Sequence, residues 1–482
     1  PEKFAKLTGA EVETGIEVTG LDREGRKVTA KDLKSGETKE YTYDKLVIAT
    51  GASPVVPPLP GLDMKNVFMM RTPDDAEALR KAAESGTIKR AVIAGGGFIG
   101  LEVAENLQSR GIRTTVLDML PHIMPGFDPE MAEFVEDHLA DQGIMTLLDT
   151  KLEGVEGDGT VEKVKTSRRA IKADALVLSL GIRANTAFLA DTGIELAPNR
   201  TVLVDDHMRT NDENIYALGD CSMITNRMTH ARAWSPMGSS ANIEGRIAAQ
   251  NIAGADVSYP GVLGTGVVKL PGLNAGRTGL TEQAAKEAGH DVVSVVAVVD
   301  DKAHYYPGAD SFLVKMIADK TTGEFLGIQV LGKGAVDKMV DIAVVALSMK
   351  ATVQQLEHLD FAYAPPFSTA IHPFAHCINI LLNKMSGSLD TFTPVEFAEG
   401  KAEGYKVIDA SLKPTLEGVE FMNLEEIDGE VEGHPKDEKM LLVCAKGKRA
   451  YMLQNRLRYY GYTNTKVLEG GSTFNGEDLT ED

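Results

Sequence analysis

KRAVIAGGGFIGLEVAENL, Lys89 to Leu107, runs from an apolar strand through a glycine-rich turn into a helical pattern. Ala91 to Ala94 are short and apolar, Gly95 to Gly100 spell G-x-G-x-x-G, and from Leu101 to Leu107 the apolar residues recur at helical spacing. Each glycine has a physical task. Gly95 makes the tight turn, Gly97 lets the backbone approach a pyrophosphate, and Gly100 allows close packing of helix on strand, with Phe98 and Ile99 filling the interval. The pyrophosphate is expected on the helix N-terminus, where unpaired N–H groups and the dipole favour an anion. A plain strand-turn-helix would carry the same glycines, so the neighbours decide. Thr114 to Leu117 reads as the next strand and ends in Asp118, about twenty residues on, where an acidic side chain bonds an adenosine ribose. Asp118 would repel a 2′-phosphate, which predicts NADH in preference to NADPH.

Working outward, DKLVIATGASPVVPPLPG, Asp44 to Gly61, is a buried strand (Leu46 to Ile48), a turn through Thr50 and Gly51, and an extended proline exit. ADALVLSLGIRAN, Ala173 to Asn185, echoes it with Gly181 at the turn. Two similar nucleotide-binding units in one chain would produce such an echo. TNDENIYALGDCS, Thr210 to Ser222, places the strand Ile215 to Ala217 before Gly219 and Asp220, and NIEGRIAAQNIAG after it reads as a helix.

Composition sets the outer limits. The 482 residues, 43% hydrophobic and 25% charged, allow about three globular domains. A formal charge of −20 opposes binding to nucleic acid or to anionic membrane. No apolar run approaches the ~20 residues of a membrane span, and the first residues lack the pattern of a signal peptide, which places the protein in the cytoplasm. Cys221, Cys377 and Cys444 lie too far apart for a disulfide scaffold or a metal site.

From Asp44 to about Ser386 these phrases resemble the coenzyme A disulfide reductase and NADH oxidase branch of the pyridine nucleotide-disulfide oxidoreductases, and the remainder resembles an appended rhodanese domain. TNDENIYALGDCS is similar to the family's second flavin motif, whose aspartate, here Asp220, bonds the ribityl chain. The resemblance implies an α/β protein with two Rossmann-like dinucleotide-binding domains, an α+β dimerisation domain and a C-terminal rhodanese-like α/β domain. The boundaries implied are 1–72 and 189–262 for the FAD-binding domain, 73–188 for the NAD(H)-binding domain, 263–386 for dimerisation, 387–404 for a linker and 405–482 for the rhodanese-like part. FAD, NADH and coenzyme A are the implied ligands, and a homodimer the implied assembly. HYYPGADSF and LDFAYAPPFSTA resemble phrases whose tyrosines help bind coenzyme A across the dimer interface, which nominates Tyr305, Tyr306 and Tyr363; aromatics that merely fill a dimer core are the alternative.

Two departures matter. The family's flavin glycine fingerprint and its redox cysteine are expected upstream of Pro1, so the FAD domain is N-terminally incomplete and the flavin-side cysteine lies outside this chain. Cys221 and Cys377 are expected to be packing residues. His372-Pro373 and His376 stand where this branch usually has Asp-Pro. A histidine can exchange a proton with a sulfur leaving group, but helix capping is the commoner use of this position, so neither is placed in the catalytic set.

In the C-terminal part, Tyr405 to Ala410 and Met440 to Val443 read as strands and Arg449 to Tyr460 as a helix. The loop CAKGKRA between them resembles the rhodanese loop C-x-x-G-x-R, in which successive N–H groups and a helix N-terminus favour a nucleophilic thiolate at the first position. That nominates Cys444 as a persulfide carrier, with Lys446, Gly447, Lys448 and Arg449 in its loop. Asp409-Ala410-Ser411 replaces the family's Asp-Val-Arg, so a degenerate docking module is the alternative. The implied function is a FAD- and NADH-dependent reductase of coenzyme A disulfide, persulfide or polysulfide with fused sulfur handling. The rivals are an NADH oxidase reducing oxygen and a non-catalytic sulfur carrier or nucleotide-binding protein.

Overall fold

In a computed structural model, which describes residues 1–476 and 479, the chain forms two compact units, residues 1–57 with 180–262 and residues 58–179 with 263–482. In the first, the strands Leu46–Ile48 and Ile215–Ala217 pair in parallel, and Ala52–Pro54 pairs antiparallel with Ile182–Ala184. The two phrases that echo each other in sequence therefore meet as a ribbon. An antiparallel meander, Ile16–Asp22, Lys27–Asp32 and Thr38–Thr42, a small sheet of Val202–Leu203, Ser222–Thr225 and Arg232–Ala233, and the helices Glu2–Thr8 and Gly238–Ile252 also belong to this unit. Ile48, Val202, Ile215, Ala217, Cys221 and Ala248 are among its buried core.

Among the described residues the second unit contains three five-stranded sheets, beside a small antiparallel one formed by Leu152–Glu156, Lys163–Thr166 and Ala170–Lys172. A five-stranded parallel sheet runs in the order Val67–Met69, Ala175–Leu178, Arg90–Ala94, Arg113–Leu117, Met145–Leu147. Ala175–Leu178 is buried at all of its positions, as a central parallel strand covered on both faces must be. The helix Pro73–Glu84 starts at a capping box between Thr72 and Asp75, with proline at its first position. Phe98–Gln108 buries Leu101, Val103, Ala104 and Leu107 against the sheet. The sheet begins at Val67, ahead of residue 73, and residues 180–188 pair with the flavin-side unit.

The second sheet is antiparallel, in the order Gly266–Leu270, Leu273–Gly279, Phe325–Gly332, Ser311–Asp319, Val292–Asp300, with the helices Val336–Ser348 and Pro373–Met385 against it. Lys315 in its strand is buried among Asp128 at 3.2 Å, Glu130 at 2.5 Å and Glu282 at 2.9 Å. Three carboxylates raise the ammonium's affinity for its proton against the penalty of burial, and Glu282 is held down at about 2 although burial opposes it.

The third sheet is parallel, in the order Thr391–Phe392, Thr465–Leu468, Met440–Val443, Lys406–Asp409, Glu420–Phe421. It begins inside the stretch read from sequence as a linker: Ser386, Gly387 and Ser388 suggest a flexible segment, but Thr393 then caps the helix Pro394–Ala398 with Glu396 closing the box. Glu469 fastens this sheet to the previous one. Its buried carboxylate accepts from the Val296 amide at 2.8 Å, from Lys384 at 2.5 Å and from Thr391 Oγ1 at 2.6 Å. Phe474 stacks on Phe134 with centroids 5.4 Å apart.

Candidate functional site

The glycine turn follows Arg90–Ala94 directly. Gly95 takes φ 113°, and a Cβ on Gly100 would stand 2.0 Å from the Gly95 carbonyl, so no larger residue fits there. The Cβ position of Gly97, by contrast, meets nothing within 4 Å, and Gly97 is the N-cap of the helix Phe98–Gln108. The open approach at a helix N-terminus fits a dinucleotide pyrophosphate. Asp118 closes the neighbouring strand and is tied to the turn: Oδ2 accepts from the Gly96 N–H at 2.7 Å and Oδ1 from the Leu120 N–H at 2.9 Å. Each oxygen keeps a lone pair for a ribose hydroxyl. Ile99, the other interval residue, is 47% exposed on the helix surface.

On the flavin side, the ends of two parallel strands carry the motif. Leu218 N–H bonds the Ile48 carbonyl at 3.0 Å, setting Gly219 and Asp220 beside Thr50 and Gly51. Gly51, Gly181 and Gly219 have φ of 65°, 92° and 73°, the left-handed region in which glycine turns the backbone sharply away from a strand end. Thr50 Oγ1 donates to the Asn185 carbonyl at 2.7 Å, and Asn185 Nδ2 returns a bond to the Thr50 carbonyl at 3.0 Å. Trp234 Nε1 donates to the Asp220 carbonyl at 3.0 Å. Asn185 and Glu244 are residues the sequence reading passed over. Glu244 is buried, accepts from the Gly219 N–H at 2.6 Å and from Ser222 Oγ at 3.1 Å, and burial pushes its carboxyl up. A glutamate in an amphipathic helix looks like a solvated face; only the fold reveals that it holds the flavin-side turn. These strand ends, with small residues facing outward, fit the ribityl side of a flavin.

Cys221 is fully buried, bonded to the Ile48 and Leu218 carbonyls, and burial pushes its thiol up. Cys377 lies inside the helix Pro373–Met385 with no exposure, and burial pushes its thiol up as well. His372 is the N-cap of that helix: its Nδ1 accepts from the Phe374 N–H at 3.2 Å and its ring stacks on Phe361 at 4.5 Å. Burial holds its proton affinity down, at about 4. His376, one turn on, is also pulled down by burial, with Lys448 adding to the effect.

Tyr305, Tyr306 and Tyr363 are 69%, 38% and 51% exposed, in the loops after Val292–Asp300 and before Pro373–Met385. Tyr305 meets the His304 ring edge-on at 5.4 Å, and at these exposures none of the three fills the core of its own chain.

Cys444 follows Met440–Val443 and precedes the helix Lys448–Tyr459. It is 5% exposed, and the Ala450 N–H in the helix's first turn points at Sγ from 3.5 Å. Gly447 takes φ 78° to enter the helix. Gly471 presses on the loop from outside; its Cβ would lie 1.9 Å from the Cys444 carbonyl. Two of the loop cations turn to partners outside the loop. Lys446 leaves the loop to bond Asp300 and Ser311 on the antiparallel sheet, while Arg449 reaches Asn423 at 3.5 Å. Asp409, in the replaced turn, is buried yet held below the ordinary carboxylate range by the Thr415, Ser411 and Leu416 amides. Among the described residues, Asp205, Asp206 and His207 also converge at the surface, where the His207 ring bonds Asp206 and Asp256, each at 2.7 Å.

Residues 2–238 match the pyridine nucleotide-disulphide oxidoreductase family, 267–375 its dimerisation domain and 381–473 the rhodanese-like domain. The chain is 35% identical to an NAD(P)H sulfur oxidoreductase (CoA-dependent) of Pyrococcus abyssi, covering 79% of this chain and 84% of that protein. It is 33% identical to an NADH oxidase of Methanocaldococcus jannaschii, over 80% and 86% of the two chains. A solved NAD-dependent persulfide reductase from A. fulgidus superposes with a TM-score of 0.91 at 33% identity, over 98% of this chain and 87% of that one.

Proposed function

Since the chain belongs to the pyridine nucleotide-disulphide oxidoreductase family, we propose that it is a FAD- and NADH-dependent reductase of coenzyme A disulfide, coenzyme A persulfide or polysulfide, with a sulfur-handling rhodanese-like domain on the same chain. The observation that carries this is the union of two sites: a dinucleotide turn tied to Asp118, and Cys444 at the start of a helix in a rhodanese fold. Bound nucleotide and flavin supply the hydride chemistry. The residues of the chain bind and orient them: Gly97 and the helix behind it take the pyrophosphate, Asp118 takes the adenosine ribose, and Asp220 with Thr50, Gly51, Gly181 and Gly219 forms the flavin side. Tyr305, Tyr306 and Tyr363 are assigned to coenzyme A, an amphipathic ligand suited to half-exposed aromatics. Cys444 carries a sulfur atom as a persulfide, and tethering raises its effective concentration at the reductase. The protein works in the cytoplasm as a homodimer; no helix in the described residues is long and apolar enough to cross a membrane.

The test follows NADH oxidation by the purified flavoprotein under argon, with coenzyme A disulfide or polysulfide as acceptor, and then in air without them. Turnover with a sulfur acceptor well above that with oxygen is expected. The reverse ranking would establish the second reading, an oxygen-reducing NADH oxidase, which the Methanocaldococcus relative favours by name. Sedimentation of the same sample should give twice the chain mass.

A further inference from the structure

Arg277 occupies the strand Leu273–Gly279, opposite Gly266 on one side and Gln329 on the other. Its guanidinium is cradled by glycines. A Cβ on Gly126 would stand 2.4 Å from Nη2 and 2.5 Å from Cζ, and one on Gly264 would stand 3.5 Å from Nη1. Both glycines hold positive φ, 96° and 71°. Nε is shielded from solvent with no hydrogen-bond partner, and no described residue forms an ion pair with the side chain. Burial alone lowers its proton affinity, yet arginine keeps its charge in proteins. Elsewhere in this unit a buried cation is answered in full, Lys315 by three carboxylates. Arg277 is only partly buried, yet a half-desolvated cation without a counter-charge still carries a cost that a bound anion would offset.

The surroundings indicate what that is. Gly126 belongs to the segment that leaves Asp118. The Met124 N–H of that segment bonds the Gly96 carbonyl at 2.9 Å, and Phe127 meets Phe98 edge-on at 6.2 Å. Phe98, at the first position of the helix behind the glycine turn, packs on Gly266, the cross-strand partner of Arg277. The guanidinium lies against Gly126, two residues beyond the Met124 that bonds the dinucleotide turn. A planar fork of N–H donors matches the oxygens of a phosphate two at a time. We propose that Arg277 is the cationic half of a phosphate site beside the Gly95–Gly100 turn. Two ligands of this protein could supply the phosphate: the pyrophosphate of the pyridine dinucleotide or a phosphate of coenzyme A. The first source rests on the dinucleotide reading given above; the second does not.

Calorimetric titration of the purified flavoprotein with NAD⁺, coenzyme A and inorganic phosphate tests this in wild type, Arg277→Gln, Arg277→Lys and Asp118→Ser. Arg277→Gln is expected to lose about tenfold in affinity for one of the two organic ligands, the scale of one charge-assisted contact, and Arg277→Lys to recover part of it. Without ligand, Arg277→Gln should melt no lower than wild type, since it removes an unanswered charge. Loss confined to NAD⁺ assigns the pyrophosphate, and loss confined to coenzyme A assigns that phosphate instead. Unchanged affinity for both, or loss for inorganic phosphate alone, overturns the proposal. If Arg277→Gln does not fold, Arg277→Lys carries the same comparison, because it keeps the charge and removes the fork. Should wild type bind no NAD⁺ and Asp118→Ser change nothing, the dinucleotide reading fails, while Arg277 is still judged on the coenzyme A arm.

Discussion

Asp118 and Cys444 carry the two halves of the proposed chemistry, and each makes a prediction of its own. Asp118 is fixed by two backbone N–H groups, so its carboxylate is aimed before any nucleotide arrives. Replacing it with serine removes both an acceptor for the ribose and the charge that repels a 2′-phosphate. The preference for NADH over NADPH in the rate of flavin reduction should shrink by about tenfold or more, one charge-assisted bond being worth about 1.5–3 kcal/mol. A preference for NADPH in the unmodified protein would refute the assignment. Cys444→Ser should abolish the extra sulfur that mass spectrometry finds on the loop peptide after incubation with thiosulfate or polysulfide. It should also slow polysulfide-dependent NADH oxidation about tenfold, as a tethered donor is lost, and leave reduction of coenzyme A disulfide unchanged. No added sulfur on the wild-type peptide would make the domain a docking module. The glycines and Asp118 were legible in sequence because their chemistry depends on neighbours a turn or one strand away. Asn185 was not, because its partner Thr50 is 135 residues distant, and Glu244 was not, because its helix looks amphipathic until Gly219 is seen beneath it.

The helix Pro373–Met385 shows how an element can settle a question its residues leave open. His-Pro at its start suggests either an acid-base group or a cap; the Nδ1 contact with the Phe374 amide and the proline at the first helical position make His372 a cap. A cap of this kind works only while the ring is neutral, since a protonated Nδ1 has no lone pair to accept with. Burial, reinforced by Lys338, depresses the ring from its ordinary 6.5 to about 4. A depressed value means the unfolded chain takes up the proton first, so the stability contributed by the neutral ring is present above pH 6.5 and drains as pH falls toward 4. His372→Asn keeps a capping oxygen and removes the titration. It should flatten the decline in denaturant midpoint between pH 6.5 and 4, while His372→Ala loses about 1 kcal/mol at pH 7. An identical pH slope in wild type and His372→Asn would rule the cap out as its source. Strand-level legibility followed the same logic: short apolar runs between turn residues were placed within a residue or so, whereas Thr391–Phe392 was hidden in a polar stretch because its strand character comes from pairing with Thr465–Leu468.

At the scale of the whole molecule, the composition foretold several domains, and the order of phrases foretold which ones, but not how the rhodanese-like sheet attaches. That depends on Glu469, which no local pattern marks. Removing one partner of a buried pair leaves the other uncompensated, at a cost of about 3–5 kcal/mol. Glu469→Gln should therefore lower the denaturant midpoint of the unit formed by residues 58–179 and 263–482 and speed amide exchange at Val296, which loses its carboxylate acceptor. Unaltered exchange at Val296 would show that the attachment lies elsewhere. The same contact bears on the order of synthesis. The Val296 amide leaves the ribosome 173 residues before the carboxylate that receives it, an interval of about 10–30 s at ordinary elongation rates. Over that time the edge strand Val292–Asp300 has an open side and Lys384 lacks its anion, so the growing chain passes through a stage in which the reductase portion is written but not yet closed. Codon usage or chaperone supply late in the message would then govern the yield of a portion encoded much earlier.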